Sequence, residues 1–289
     1  MKFCIRKEAS LLQRSKKKMI SMAIHRFLPS WTWLPPVIAI LLASIIYLSH
    51  SEKALFYQIN SVSQYTGADL WANLTILGDS LIAAVLFIPW IRRNPDLVWA
   101  AIIGSIIALL ISHGLKNLMH LPRPAGALPL DSFNIIGPVF KHRSFPSGHA
   151  TTVFTFLGIW ILSSRQLWSR WALLTVGMII ALSRIVVGVH WPTDILAGMA
   201  VGWFSAIAGI RSIRYLPWGL KPAAHGAFIF LTILSALLLL VRYKTGYHNV
   251  ELLQSFVALA CLITFLSDLT LLLLKRVEEK LGVKFFVRS

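Results

Sequence analysis

Charge is scarce in these 289 residues: only 13% are Asp, Glu, Lys or Arg, and the acidic side chains number 11. Soluble domains carry about 25% charged residues, so an ordinary water-facing surface is excluded. Carboxylates are thin around the polar motifs, where only Asp131 and Asp194 fall, and no acidic cluster suited to magnesium or calcium can be assembled there. Cysteine is nearly absent. Cys4 sits in a basic tail and Cys261 in an apolar run, so neither a disulfide nor a thiolate metal site is expected. Internal repeats are missing, as are low-complexity segments beyond the basic N-terminal tail and any RNA- or DNA-binding motif. The formal charge of +17 is therefore not read as a nucleic-acid footprint. It lies mostly in tails and short loops, where it suits anionic lipid head groups and the setting of topology.

What is abundant is apolar: 56% of the chain is hydrophobic, with 11 tryptophans and 16 phenylalanines. A membrane-spanning helix needs about 20 mostly apolar residues. Eight candidate spans follow, over Trp33–His50, Leu70–Ile91, Leu97–Leu115, Thr151–Leu162, Trp171–Val187, Ile195–Ile210, Ala227–Val241 and Leu252–Leu274. A cleaved leader is not expected, because a polar interval separates the basic start from the first long run and no small-residue cleavage site ends that run. The basic residues alternate sides unequally. Lys2 through Lys18, Arg92, Arg93, Arg165, Arg170, Arg211, Arg214, Lys221 and Lys275 through Arg288 share one face. Lys53, Lys116, Arg123, Lys141, Arg143, Arg184, Arg242 and Lys244 share the other. The positive-inside rule assigns the richer face, with both termini, to the cytoplasm.

The longest polar interruption after the tail runs from Lys116 to His149 on the outer side, and five prolines keep it from being one helix. Three clusters lie on that side. Lys116 is followed seven residues on by Arg123-Pro124. Pro146-Ser147-Gly148-His149 stands before the fourth span. Ser183-Arg184, His190 and Asp194 join the fifth span to the sixth. Lys116, Arg123 and Arg184 together supply a positive pocket, and arginine grips phosphate oxygens bidentately. Ser147 offers a hydroxyl, and Gly148 opens what reads as a helix start, whose free N–H groups favour an anion. His149 and His190 are suited to nucleophile and general acid, with Asp194 four residues beyond His190 to fix a tautomer.

These motifs are similar to the three-part signature of the type 2 phosphatidic acid phosphatase superfamily: Lys-x6-Arg-Pro, Pro-Ser-Gly-His and Ser-Arg-x5-His-x3-Asp, here intact and in order between Lys116 and Asp194. The resemblance implies an all-α, polytopic membrane enzyme with a six-helix phosphatase core and its site at the extracytoplasmic surface, working without a cofactor or metal. It further implies that His190 attacks phosphorus to form a phosphohistidine, that Asp194 orients His190, and that His149 protonates the leaving oxygen. Lys116, Arg123, Ser147, Gly148 and Arg184 would hold the phosphate. The expected partner is a phospholipid or polyprenyl phosphate in the membrane, with no nucleic acid. Candidate substrates are a polyprenyl diphosphate, phosphatidylglycerol phosphate, phosphatidic acid or a lipid A phosphate. A bacterial inner membrane is the expected location. A phosphotransferase, and a non-catalytic lipid-binding or transport protein, are the alternative readings.

Three segments are expected: a basic tail over 1–30, the phosphatase core over 31–215, and two further spans with a basic tail over 216–289. That C-terminal pair departs from the minimal core and carries no second catalytic set. His113 and His120 match no motif position and read as structural or peripheral. Asp79, which follows Gly78 inside the second span, is able to cap a helix or bond Asn73 or Ser80. Lys141-His142-Arg143 reads equally well as a head-group contact and as a solvated run. Trp191-Pro192 is expected to shape the turn that aims His190.

Overall fold

A long apolar run satisfies every backbone N–H and C=O within itself only as a helix. The computed structural model, which describes residues 30–241 and 243–281, consists of helices and has no strand among the described residues. In chain order these are α1 (Leu34–Leu48), α2 (Glu52–Asn60), α3 (Val62–Thr66), α4 (Ala68–Ile76), α5 (Ser80–Leu86), α6 (Pro95–Met119), α7 (Pro124–Ala127), α8 (Gly148–Ser163), α9 (Leu167–Val186), α10 (Pro192–Ser212), α11 (Pro222–Val241) and α12 (Glu251–Leu281). The N-terminal run Lys2–Lys18, Cys4, Arg242, Lys284 and Arg288 lie outside the described residues. Among the described residues six helices are long and apolar enough to cross a membrane, and the chain is an integral membrane protein.

Two expected spans differ from the observed helices. Leu70–Ile91 is not one helix: α4 and α5 are bent by 66° at a short break. Gly78 and Asp79 sit there, and Asp79 begins α5 as its N-cap, accepting the Leu81 N–H at 2.8 Å. The glycine suits a tight contact, because a Cβ at Gly78 would lie 3.2 Å from Cβ of His149. The second difference is α8. It starts three residues earlier than the apolar run yet has only 16 residues. At a rise of 1.5 Å per residue it is about 24 Å long, against a hydrocarbon core of about 30 Å. Its first turn carries His149. The segment between Ser51 and Gly67, which no candidate span covers, forms α2 and α3, with Phe56 fully buried.

The scaffold centres on α10, which packs on α8, α6 and α1. Close approach is written into its small residues: a Cβ at Gly202 would stand 2.4 Å from the Thr151 carbonyl oxygen of α8, and one at Gly209 2.4 Å from the Ala100 oxygen of α6. Small residues let backbones meet where lipid already solvates the apolar alternatives. Around this contact Trp203, Phe154 and Ile185 fill one buried cluster, and Trp99, Ile159 and Ile210 fill another. The indole N–H of Trp203 donates to the Thr32 carbonyl at 2.7 Å, which ties in the start of α1. A third cluster joins α11 and α12, through Ala236, Leu239, Ala258 and Phe265, to Ile76 of α4 and Ile82 of α5. The C-terminal pair is thus seated on the bent α4–α5 element.

Candidate active site

Helix ends supply most of the polar residues of interest. Lys116 is in the last turn of α6, Ser147 caps α8 and Gly148 and His149 open it. Arg184 is in the last turn of α9, and Asp194 is in the first turn of α10. Arg123 immediately precedes α7. Pro192 occupies the first turn of α10, where its missing N–H costs nothing. Asp194 then reaches back to accept the Trp191 backbone N–H at 2.8 Å, so the turn carrying His190 is locked to the helix that follows it.

Asp194 Oδ2 also accepts from Ser144 Oγ at 2.5 Å, and lies 3.1 Å from His190 Nδ1. On the other side of the ring, His190 Nε2 is 3.3 Å from Nη1 of Arg123. A guanidinium only donates, so Nε2 is the acceptor and the proton resides on Nδ1, directed at the carboxylate. His190 is 1% exposed. Burial first, then the charges of Arg123, Arg184 and Lys116 and the neighbouring His149, hold its pKa well below the ordinary value of 6.5. The imidazole is neutral, with its Nε2 lone pair directed towards the cations.

Lys116 and Arg123 are held by backbone carbonyls and Arg184 by hydroxyls. Lys116 Nζ donates to the Arg143 and Pro146 oxygens at 3.1 and 2.6 Å. Arg123 donates to the His142 and Val189 oxygens at 3.0 and 3.1 Å, and lies over the Phe140 ring. Arg184, 3% exposed, donates from Nη1 to Thr75 Oγ1 and to the Tyr247 hydroxyl, each at 2.8 Å, while its Nε is buried with no protein partner. None of the three cations is paired with a carboxylate among the described residues. Among the described residues, no three His, Cys, Asp or Glu side chains are grouped to hold a metal ion.

Lys116, Arg123, Gly148, His149, Arg184 and His190 all line one cavity of about 280 Å³. No side-chain carbon would meet anything within 4 Å at Gly148, so that position opens directly onto the space. Two residues of the motifs stand behind the lining. Ser147 is fully buried and its hydroxyl accepts the Ala150 N–H at 3.4 Å, and Asp194 reaches the cavity only through His190. A second, larger cavity of about 580 Å³ adjoins the first. It shares Asp79, Lys116, Gly148 and His149 with it and continues along apolar residues such as Ala84, Phe87, Ile102 and Leu109. His113 lines this larger space, whereas Lys141 and Arg143 are exposed and line neither.

Several contributors fall outside the motifs. Asn60 of α2 donates to the Asn134 and Val186 carbonyls at 2.8 and 2.9 Å, which binds the outer loop to the turn before His190. Thr75, Ser144 and Tyr247 are the buried hydroxyl partners of Arg184 and Asp194. Hydroxyl residues are frequent and have no fixed spacing to the motifs, so only the fold identifies them. Tyr243 donates to Asp79 Oδ2 and gives that carboxylate a partner besides the helix cap.

A buried cationic cavity with two imidazoles, set among membrane-spanning helices, is an arrangement suited to an anion. Residues 97–218 match the model of the PAP2 superfamily, and all three motifs lie within that stretch. The Escherichia coli (strain K12) protein YbjG, named as a candidate undecaprenyl-diphosphatase, is 33% identical over 132 residues, 44% of this chain and 63% of its own length. A lipid A 1-phosphatase of Rhizobium johnstonii is 31% identical over 136 residues, 46% of this chain and 52% of its own length. The chain thus spans between half and two thirds of the length of these curated relatives. The crystal structure of Aquifex aeolicus LpxE is similar with a TM-score of 0.48 and 26% identity, over 55% of this chain and 94% of that one.

Proposed function

We propose that this protein is a membrane lipid phosphatase that hydrolyses a lipid phosphate or diphosphate through a phosphohistidine on His190. The observation that carries this reading is the union of two cavities. A cationic pocket with paired imidazoles opens, across Lys116, Gly148 and His149, into an apolar space between helices. A molecule that fits both has a phosphoryl head and a hydrocarbon tail. The names of the relatives, which include lipid A and undecaprenyl phosphatases, support the same substrate class.

In the first step the Nε2 lone pair of His190 forms a bond to phosphorus as the bond to the leaving oxygen breaks. His149 gives that oxygen its proton. In the second step water attacks phosphorus, His149 takes the water's proton, and the P–N bond breaks to release phosphate. Asp194 holds the Nδ1 proton throughout and stabilises the positive charge that develops on the ring. Lys116, Arg123, Arg184 and the N–H groups at the start of α8, positioned by the Ser147 cap, meet the equatorial oxygens. Phosphoryl transfer depends chiefly on such placement and charge. Counting the bent α4–α5 pair and the short α8 as crossings gives eight. The termini then lie in the cytoplasm and the site on the outer side of a bacterial inner membrane.

The decisive experiment measures phosphate release by the purified protein from a panel containing polyprenyl diphosphate, phosphatidylglycerol phosphate, phosphatidic acid and lipid A. It is run with excess chelator, with and without a second lipid as acceptor. Release to water in chelator, together with a labelled acid-labile phosphohistidine, is expected. A strict divalent-metal requirement would overturn the cationic-pocket mechanism. Transfer of label to the acceptor lipid would make the protein a phosphotransferase, and an inert wild type with retained lipid binding would make it a carrier.

A further inference from the structure

The segment that joins α11 to α12 lies beyond the matched residues 97–218, yet it brings Tyr243, Thr245 and Tyr247 to the wall of the cationic cavity. Tyr247 is 8% exposed, and its hydroxyl oxygen accepts one Nη1 hydrogen of Arg184 while Thr75 accepts the other. A guanidinium presents two forks to a tetrahedral anion, one along Nη1 and Nη2 and one along Nε and Nη2. With both Nη1 hydrogens taken by hydroxyls, the free fork is the Nε–Nη2 edge. Its Nε is buried and without a protein partner.

The approach of Tyr247 is built from several sides. Gly137, at φ +81°, lies flat beneath the ring, where a Cβ would come within 2.5 Å of it. The Tyr243 hydroxyl bonds Asp79 at the α4–α5 break. Asn249 donates to both Asp69 carboxylate oxygens at 3.2 Å and accepts from Asn73 at 3.1 Å. Gln254 of α12 donates to the Tyr243 carbonyl at 2.9 Å. These contacts fix the connecting segment over the element that also carries Thr75.

We propose that Tyr247 is a phosphate-site residue supplied by the C-terminal helix pair. Its oxygen holds Arg184 with the Nε–Nη2 edge towards the bound phosphoryl group, and its own hydrogen donates to one of that group's oxygens. The proposal rests on the reading that this cavity binds phosphate, and it makes the C-terminal pair part of the site.

The test is Tyr247→Phe in the full-length protein, which keeps the ring on Gly137 and removes only the hydroxyl. The inhibition constant of orthovanadate is expected to rise, and kcat/KM for the lipid phosphate to fall, by about tenfold, as for loss of a hydrogen bond to a charged group. Tyr215→Phe, whose ring is 68% exposed, serves as the unchanged control. A merely structural role would lower yield or Tm and leave the vanadate constant of the folded protein unaltered, which would overturn the proposal. If the wild type releases no phosphate from any lipid, the phosphatase reading fails separately. The rise in Tm on adding orthovanadate then decides, and equal rises in wild type and variant count against Tyr247. Should Tyr247→Phe not fold, Asn249→Gly replaces it. Asn249 has φ 56°, which glycine adopts freely, so only the tether to Asp69 is lost. A smaller rise in the vanadate constant is expected there, and no rise refutes the assignment.

Discussion

Helices α10 and α11 are nearly equal in length and both apolar, but they live in different surroundings. Of the apolar window in α10, 72% is buried inside the protein, against 11% for α11 and 17% for α12. The first is closed in by backbone, the others face lipid over most of their surface. Chemistry follows the same division: His190 and Asp194 begin α10, whereas α11 and α12 meet the site only through the segment between them. The difference teaches that a membrane protein concentrates its sequence constraints where helices touch each other, since lipid asks only for apolarity. The sharpest way to break the comparison is at its catalytic end. His190→Ala is expected to reduce turnover on the order of 10⁴-fold or more, as loss of a covalent nucleophile does. Phosphate release at wild-type rate would remove His190 from the mechanism.

A step below that stands Asp194→Asn. Ser144, His190 and Trp191 all meet Oδ2, so a carboxamide with its oxygen there still accepts the Trp191 N–H but no longer supplies the negative charge that opposes the imidazolium, and one with its nitrogen there gives up that bond and presents an N–H to Nδ1. A fall in kcat on the order of 10²- to 10⁴-fold, with substrate affinity nearly kept, is expected. Stability is the next measure. Gly202→Ala places a methyl 2.4 Å from the Thr151 oxygen, where backbone cannot yield cheaply. Overpacking of this kind costs about 1–3 kcal/mol, read as a lower Tm in detergent.

The pH profile sharpens the same contrast electrostatically. On the proposed mechanism His190 attacks as the neutral base, so activity is lost as pH falls through its pKa. Because burial and the cations hold that pKa well below 6.5, kcat/KM should stay flat as pH is lowered past 6.5, with the acid limb below it. Arg123→Gln removes the largest of the depressing charges, so the limb should move to higher pH. The position of the limb is diagnostic here, since the amplitude also falls with the lost phosphate contact. A limb that stays in place would mean that Arg123 does not act on His190.

Much of this was legible in the residues alone, and the gaps have physical causes. Lys116, Arg123, Gly148, His149, Arg184 and His190 converge on one cavity, as their motifs and shared side of the membrane led one to expect. The all-helical spanning fold follows from hydropathy, because backbone satisfaction in lipid leaves little choice. Hydropathy does not register a bend, however. The run Leu70–Ile91 reads as continuous because Gly78 and Asp79 are short interruptions, and the His149 side chain that packs against Gly78 is 71 positions away. Nor does it weigh hydroxyls: Thr75 and Tyr247 are invisible as partners of Arg184 until three helices are placed. Ser147 shows the converse case, a motif residue whose hydroxyl is turned to a helix N–H and not to the cavity.

The smallest effect is expected on the lipid-facing side. Leu231 of α11 is 54% exposed and belongs to none of the three buried clusters. Leu231→Ala removes apolar surface that acyl chains cover equally well before and after, opens no cavity and frees no polar group. A change within about 0.5 kcal/mol is expected, with kcat/KM unaltered. Gly202→Ala adds one methyl to a closed contact and Leu231→Ala deletes three carbons from an open face, so the smaller change is expected to cost more. If Leu231→Ala proved as damaging as Gly202→Ala, the exposed face of α11 would have to be covered by protein instead of lipid, and the division between a closed core and a lipid-bathed C-terminal pair would fail.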